Sequence, residues 1–452
     1  MTTLYSALWV LPISSPPIEA GALAIEGTTI SEVGTRSSLT AKFPDAEMRH
    51  FGEAAILPGL INAHSHLELT AMRGFLDNEE GDFLAWLRKL TLARLERMTE
   101  DDLYVSAAWG VCEALRAGVT CVADASDAAS QSMRALRDTG LRGTVFQESF
   151  GPDPKLARQN FASLQEKVAR LRGLESALVR VGVSPHAPYS VCARQLELIS
   201  EYALGEKLPV MMHAGESVAE EMLLREGEGK FADGLRKRNI EWIAPGLSTI
   251  QYLARHGVLQ TQPLLAHCIN VDEADIETIK LNDARVAHCP KSNAKLGHGR
   301  APFQAFLERG ITAGLGSDSV ASNNSCDILE EARFAVLMAR SGFDATPERK
   351  MIEASDALRS ATLGGARAVG LEGRVGELKT GLEADFAVVS LSGIHQLPSY
   401  DPVNTLVFSA SGRDVIATFV AGDELYYEGA VKGLDEERLG ARMKEIVGKL
   451  RA

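Results

Sequence analysis

The chain has 452 residues, 45% of them hydrophobic and 24% charged, which is ordinary for a globular protein with a large buried core. Its formal net charge of -13 opposes any general affinity for phosphate backbones or anionic membranes, both of which reward clustered Lys and Arg, so neither nucleic-acid nor membrane partners are expected. The six cysteines (Cys112, Cys121, Cys192, Cys268, Cys289 and Cys326) form no Cys-x-x-Cys pair, and the first basic residue is Arg36, which leaves no positive region for a secretory signal. Reduced, buried thiols and a cytoplasmic location are the expectations.

Taken in chain order, residues 1–55 show short alternating runs with Gly turns, as in 21–27, and predict strands. From residue 56 to 373 short apolar runs alternate with longer segments of helical periodicity. The strand candidates are 56–64, 119–124, 143–148, 179–184, 209–213, 264–267, 285–288 and 312–316, and between them lie helices such as 100–117, 156–172, 193–204 and 326–340. Eight such units over roughly 300 residues match an α/β fold, the (β/α)8 barrel, whose active site is built from C-terminal strand ends. No GxGxxG opens a helix after the first strand, which disfavours a doubly wound open sheet. Residues 374–432 return to short alternating runs, as in 385–391, and with residues 1–55 predict one small β-sandwich domain built from both chain ends. Residues 433–452 predict a final helix.

The first barrel strand ends in His64-Ser65-His66, and side chains at i and i+2 project to the same side of a strand, so both imidazoles can face one point. The fifth candidate ends in His213 with Glu216 three residues on, the sixth in His267, and the eighth in Asp318. Singly, each has an ordinary explanation: a satisfied core histidine, a solvated loop carboxylate, a helix cap. Their coincidence at one rim points to chemistry, because helical and loop positions would scatter them. Neutral imidazoles with a carboxylate suit Zn2+ or a similar ion, which activates water near neutral pH, and a nearby carboxylate can move the proton.

These residues sit in PGLINAHSH from Pro58, SPHAPYS from Ser184, HAGE from His213, LAHC from Leu265, HCPKSNAKLGHG from His288 and GLGSDSVASNNSCDILEEAR from Gly314. In these strings the chain resembles the amidohydrolase superfamily, and within it the aminohydrolase branch of adenosine-type, cytosine, guanine and triazine deaminases. The resemblance implies a mononuclear site with His64, His66, His213 and Asp318 as ligands of one divalent ion, Zn2+ first with Fe2+ or Mn2+ as alternatives. It implies Glu216 as proton shuttle and substrate contact, His267 as the group that holds or polarises the attacking water, Asp318 as a second proton acceptor, and His186 facing the substrate. Binuclear relatives carry a bridging lysine at the fourth strand, and residues 178–190 contain none. The family's habit also implies a homo-oligomer.

For the substrate, HLELTAMRG from His66 and FLAWLRKL from Phe83 are similar to deaminases of adenosine nucleosides modified at the 5′ position. Methylthioadenosine and S-adenosylhomocysteine deaminases often carry Trp-Pro-x-Glu after this Trp, whereas here Thr91-Leu92-Ala93-Arg94 follows. The pattern is closer to aminodeoxyfutalosine deaminases of menaquinone biosynthesis, and Arg88 or Arg94 is the candidate partner for that substrate's carboxylate. Methylthioadenosine/S-adenosylhomocysteine deaminase, and a guanine-type or chlorotriazine aminohydrolase or chlorohydrolase, are the alternatives. Ser322, Asn323 and Asn324 read as turn and helix-entry residues bracing Asp318, and His288 and Asn293 as shapers of the seventh-strand loop. His50, His256, His298 and His395 read as ordinary surface or loop residues.

Overall fold

The computed structural model describes residues 2–342 and 350–451. Eight parallel strands follow one another around a barrel: Leu60–Ser65, Val119–Ser126, Arg142–Ser149, Val179–Pro185, Met211–Ala214, Leu264–His267, Arg285–His288 and Ala313–Leu315. They form two four-stranded arcs, joined at one seam by a parallel bridge between Val183 and Val210 and at the other by one between Ser65 and Asp318. The second seam pairs the first strand end with the eighth, so ring closure itself brings His64 to Asp318.

The predicted strand 56–64 is two strands. Ala54–Pro58 pairs antiparallel with Phe386–Ser390 in the outer sheet, and only Leu60–Ser65 enters the barrel. Gly59 is the break: a Cβ there would stand 2.0 Å from the Thr120 hydroxyl, so no larger residue fits where the chain passes between layers. The helices follow their sequence signals closely. Glu100–Arg116 starts at a capping box of Thr99 and Asp102, and Ile328–Ser341 starts where Asp327 accepts from the amides of Leu329 and Glu330.

Both flanks contribute to two further sheets, one of four strands from the N-terminal flank and one of seven that interleaves the two chain ends. Leu23, Ile25 and Ile30 of the first share a core with Ile56, Phe386, Val388 and Phe419 of the second, and Tyr5 packs on the rings of Phe386 and Phe419. Two short helices, Arg36–Lys42 and Pro402–Phe408, interrupt the expected all-strand pattern of the flanks. The final helix, Glu436–Arg451, is tied to the barrel by Lys449, which donates to Asp102 at 2.6 Å. All six cysteines are buried and unpaired. Among the described residues no helix is long and apolar enough to cross a membrane.

Candidate active site

The C-terminal rim of the barrel gathers the histidines that the sequence spacing singled out. Atoms of His64, His213, His267 and Asp318 that could ligate a metal all lie within 4.8 Å of one another, and all four side chains are buried. His66 joins them, its Nε2 standing 3.2 Å from His213 Nε2 and 3.6 Å from Asp318 Oδ1. Asp318 Oδ1 is also 3.3 Å from His64 Nε2. The far sides of these groups are already committed. His213 Nδ1 donates to the His186 carbonyl at 2.9 Å, His267 Nδ1 meets Asn293 Oδ1 at 2.9 Å, and Asp318 Oδ2 accepts from the hydroxyls of Ser292 and Ser322 at 2.5 and 3.0 Å. Those bonds leave the opposite nitrogens facing inward, where Nε2 of His64 meets Asp318 and Nε2 of His267 is buried without a hydrogen-bond partner among the described residues.

That pattern fits a divalent cation. Buried polar atoms are ordinarily paired, and second contacts of this kind fix the tautomer and direction of metal-binding imidazoles. The electrostatics agree. Burial holds His66 down to about 3 and His267 to about 4, and holds His213 well below its usual value, so the rings are neutral and free to donate lone pairs. Burial alone would raise Asp318, but the ring of His64, followed by His267 and His66, keeps its carboxyl well below the usual range. Asp318 and His267 adopt φ of 56° and 75°, backbone strain placed at the two strand ends that aim at the centre.

Glu216 lies at the edge of this group. Its Oε1 is 3.7 Å from His267 Nε2, and Tyr189 donates to its Oε2 at 3.4 Å. Burial, then the charges of Asp318 and Glu220, push its carboxyl well above the usual range, the direction that suits a group exchanging protons with a substrate. Glu220 holds the turn in place by accepting from the backbone amides of Gly215 and Glu216 at 2.9 and 3.2 Å.

The centre opens into a cavity of about 870 Å³ walled by Phe83, Trp86, Leu87, Leu90, Tyr189 and Phe231. His186 lines it, with Nδ1 2.7 Å from the Ser190 hydroxyl. The two arginines expected to meet substrate differ. Arg88 is exposed at the cavity wall on the helix Phe83–Arg97. Arg94 also lines the cavity, but its guanidinium donates to Asp127 at 2.7 Å and stands 3.6 Å from Glu68, so a carboxylate from the substrate would have to compete with two already there.

His298, expected to be an ordinary loop residue, instead belongs to the site. Its side chain is 8% exposed, with Nε2 3.9 Å from Glu216 Oε1 and its ring edge-on to Phe83 at 4.5 Å. No strand or helix periodicity marks a position between two glycines, so spacing gave no signal. Of the other three, His50 meets Ser6 and Arg36, His256 meets Glu197 and His395 meets Asp414, all outside the site. Asn323 braces the Asp318 loop by donating to the Ser317 carbonyl at 2.5 Å and to Glu331 at 2.6 Å, and Asn324 closes the short helix Val320–Asn323 in the left-handed conformation at φ 71°. His288 is buried against Phe303.

Comparison with known proteins agrees with this geometry. A model described as the amidohydrolase family matches residues 55–425, and one described as an imidazolonepropionase-like composite domain of bacteria matches residues 21–46. The chain is 30% identical over 433 residues to 5-methylthioadenosine/S-adenosylhomocysteine deaminase of Desulforamulus reducens, covering 96% of this chain and 95% of that protein. Among solved structures it resembles an adenosine deaminase from Xanthomonas campestris with bound zinc (TM-score 0.86, 26% identity, 99% of this chain and 98% of that one). It shares the fold of atrazine chlorohydrolase from Arthrobacter aurescens (TM-score 0.84, 22% identity, 98% and 100%).

Proposed function

Since the chain belongs to the amidohydrolase family, we propose that it is a metal-dependent hydrolytic deaminase that releases ammonia from a 6-aminopurine nucleoside modified at the 5′ position. The observation that carries this reading is the meeting of His64, His66, His213, His267 and Asp318 at one buried point with Glu216 beside them. His64, His66, His213 and Asp318 would hold one divalent ion, Zn2+ first. When bound, such an ion supplies Lewis acidity and a water activated near neutral pH.

The chain's own groups then divide the proton traffic. His267, held by the Asn293 oxygen in the tautomer that carries its proton on Nδ1, presents the Nε2 lone pair to the attacking water and holds it by accepting its hydrogen bond. Glu216 takes the first proton from that water and delivers it to the ring nitrogen beside the reacting carbon. Asp318 accepts the second, from the added hydroxyl, and that proton passes to the departing amino group, so that ammonia leaves as the carbon-nitrogen bond breaks. His186 faces the base from the cavity wall.

The name borne by the relatives supports methylthioadenosine and S-adenosylhomocysteine as substrates. The aminodeoxyfutalosine reading keeps one specific support, because Arg88, Lys237 and Arg238 are exposed cations on the cavity lining and suit a distal carboxylate. Measuring ammonia and chloride release by metal-loaded protein across adenosine, methylthioadenosine, S-adenosylhomocysteine, aminodeoxyfutalosine, guanine, cytosine and chlorotriazines tests the proposal. Turnover of 5′-substituted adenosines is the expected result. Silence across the purine nucleosides with turnover of a triazine or a free base would overturn it.

A further inference from the structure

Three carboxylates cluster where the second and third barrel strands end, and their situations differ. Glu68 accepts from the Ser126 hydroxyl at 2.5 Å and the Ala128 amide at 2.7 Å, with Arg94 at 3.6 Å. Asp127 is paired with Arg94 at 2.7 Å and Lys167 at 3.0 Å. Glu148, the penultimate residue of the strand Arg142–Ser149, is only 6% exposed and lines the cavity, yet its Oε1 has no hydrogen-bond partner among the described residues. A buried carboxyl left unpaired costs folding free energy that a protein ordinarily avoids, unless the missing partner arrives with a ligand.

A cation is a poor candidate for that partner. Glu148, His186 and His213 do offer three ligating atoms within 4.8 Å of one another. But His213 has no nitrogen to spare, since Nδ1 donates to the His186 carbonyl and Nε2 faces His66. An anion is poorer still, with Glu68 and Asp127 behind. With metal and anion set aside, a hydrogen-bond donor carried by the substrate is the partner that fits.

The geometry also says which part of a substrate would supply it. Glu216 lies 3.7 Å from His267 and 3.9 Å from His298, whereas the ligating atoms of Glu148 lie within 4.8 Å of those of His186 and His213. A base that turns its reacting edge to Glu216 and His267 presents its opposite edge, which bears the sugar, toward His186 and Glu148. Given the nucleoside chemistry proposed above, on which this rests, we propose that Glu148 is a specificity-determining residue whose carboxyl group hydrogen-bonds to the sugar hydroxyls of the substrate.

The test compares kcat/KM for adenosine, 2′-deoxyadenosine and 3′-deoxyadenosine in the metal-loaded wild type, Glu148→Gln and Glu148→Ala. The wild type should lose roughly 10- to 100-fold on at least one deoxy analogue. Glu148→Ala should lose a similar factor on adenosine but little more on that analogue, so that discrimination collapses, with Glu148→Gln between them. Glu148→Gln keeps the shape of the side chain, and its metal content and Tm report whether the site survives. Equal losses on all three nucleosides, or a wild type indifferent to the hydroxyls, would overturn the assignment of Glu148 while leaving the deaminase reading intact. A wild type that deaminates free bases but none of the nucleosides would overturn both.

Discussion

At the N-terminal end of the barrel the buried Arg142 reaches into the outer sheets, donating twice to Asp385 at 2.8 and 2.9 Å and once to Glu383 at 2.5 Å, while Asp385 also accepts from the Ala421 amide. At the C-terminal end, Nε2 of His267 and Oε1 of Glu148 are buried without a hydrogen-bond partner among the described residues, and Nε2 of His64 meets Asp318 Oδ1 at 3.3 Å. Both ends take ionisable groups out of water. Arg142 also leaves Nη1 buried without a partner among the described residues, but its charge is met within the protein by Asp385 and Glu383, which closes that end, whereas the orphaned atoms of the other end, open toward the cavity, gather around one metal-competent cluster, and that difference separates a structural cluster from a functional one. It also explains why a count of buried charges would not have found the site.

The comparison breaks most sharply if the open end is not a metal site. Dialysis against a strong chelator is expected to abolish deamination, and Zn2+ to restore it, as followed by ammonia release against metal content. Glu216→Gln should keep the metal and lower kcat by roughly 10²- to 10⁴-fold. Undiminished turnover in that variant would remove Glu216 from the proton path.

The closed end should fail differently. Arg142→Ala leaves Asp385 buried with its charge uncompensated, and losing one partner of such a pair costs about 3–5 kcal/mol. Denaturant titration should register that loss, while metal content and kcat of the folded fraction stay at wild-type levels. A smaller effect is expected behind the rim. Asn293→Ala frees His267 to turn, and loss of such a supporting contact costs on the order of 10–100-fold in activity or metal affinity. Unchanged kcat would mean that packing alone orients His267.

Much of this contrast was legible in the sequence because the strands that carry it end in unusual residues. The candidates 264–267 and 285–288 coincide with strands in the structure, and the other barrel candidates from 119 onward fall within two residues of theirs at either end. The run 56–64 failed for a physical reason. Ala54–Pro58 and Leu60–Ser65 are both fully buried, so no polar residue marks the passage from one domain to the next, and only Gly59 records it. His298 and Glu148 were invisible for another. A histidine in a Gly-rich loop and a lone carboxylate at a strand end acquire meaning only from neighbours that are distant in the chain. Arg94 shows the converse, since its position on the helix Phe83–Arg97 was clear but its partners Glu68 and Asp127 were not.

The mildest way to sharpen the comparison is acid titration of metal-free protein, because the two ends respond in different pH windows. Burial holds His267 to about 4 and His66 and His288 to about 3 in the folded chain, against 6.5 when unfolded. The unfolded state therefore binds more protons below pH 6.5, so the stability these rings contribute is complete above that value and is lost as the pH falls toward 4 and 3. At the other end burial opposes, but Arg142 and Arg374 outweigh it and hold Glu383 below its usual 4.5. Its contribution is present above pH 4.5 and fades only as the pH falls through the lowered value, and with the side chain 26% exposed it should stay under about 1 kcal/mol. In Tm measured from pH 7 to pH 3, His288→Gln should flatten the slope between pH 6.5 and 4, whereas Glu383→Gln should change only the limb below 4.5. Identical slopes in both variants would mean that the two ends do not titrate separately.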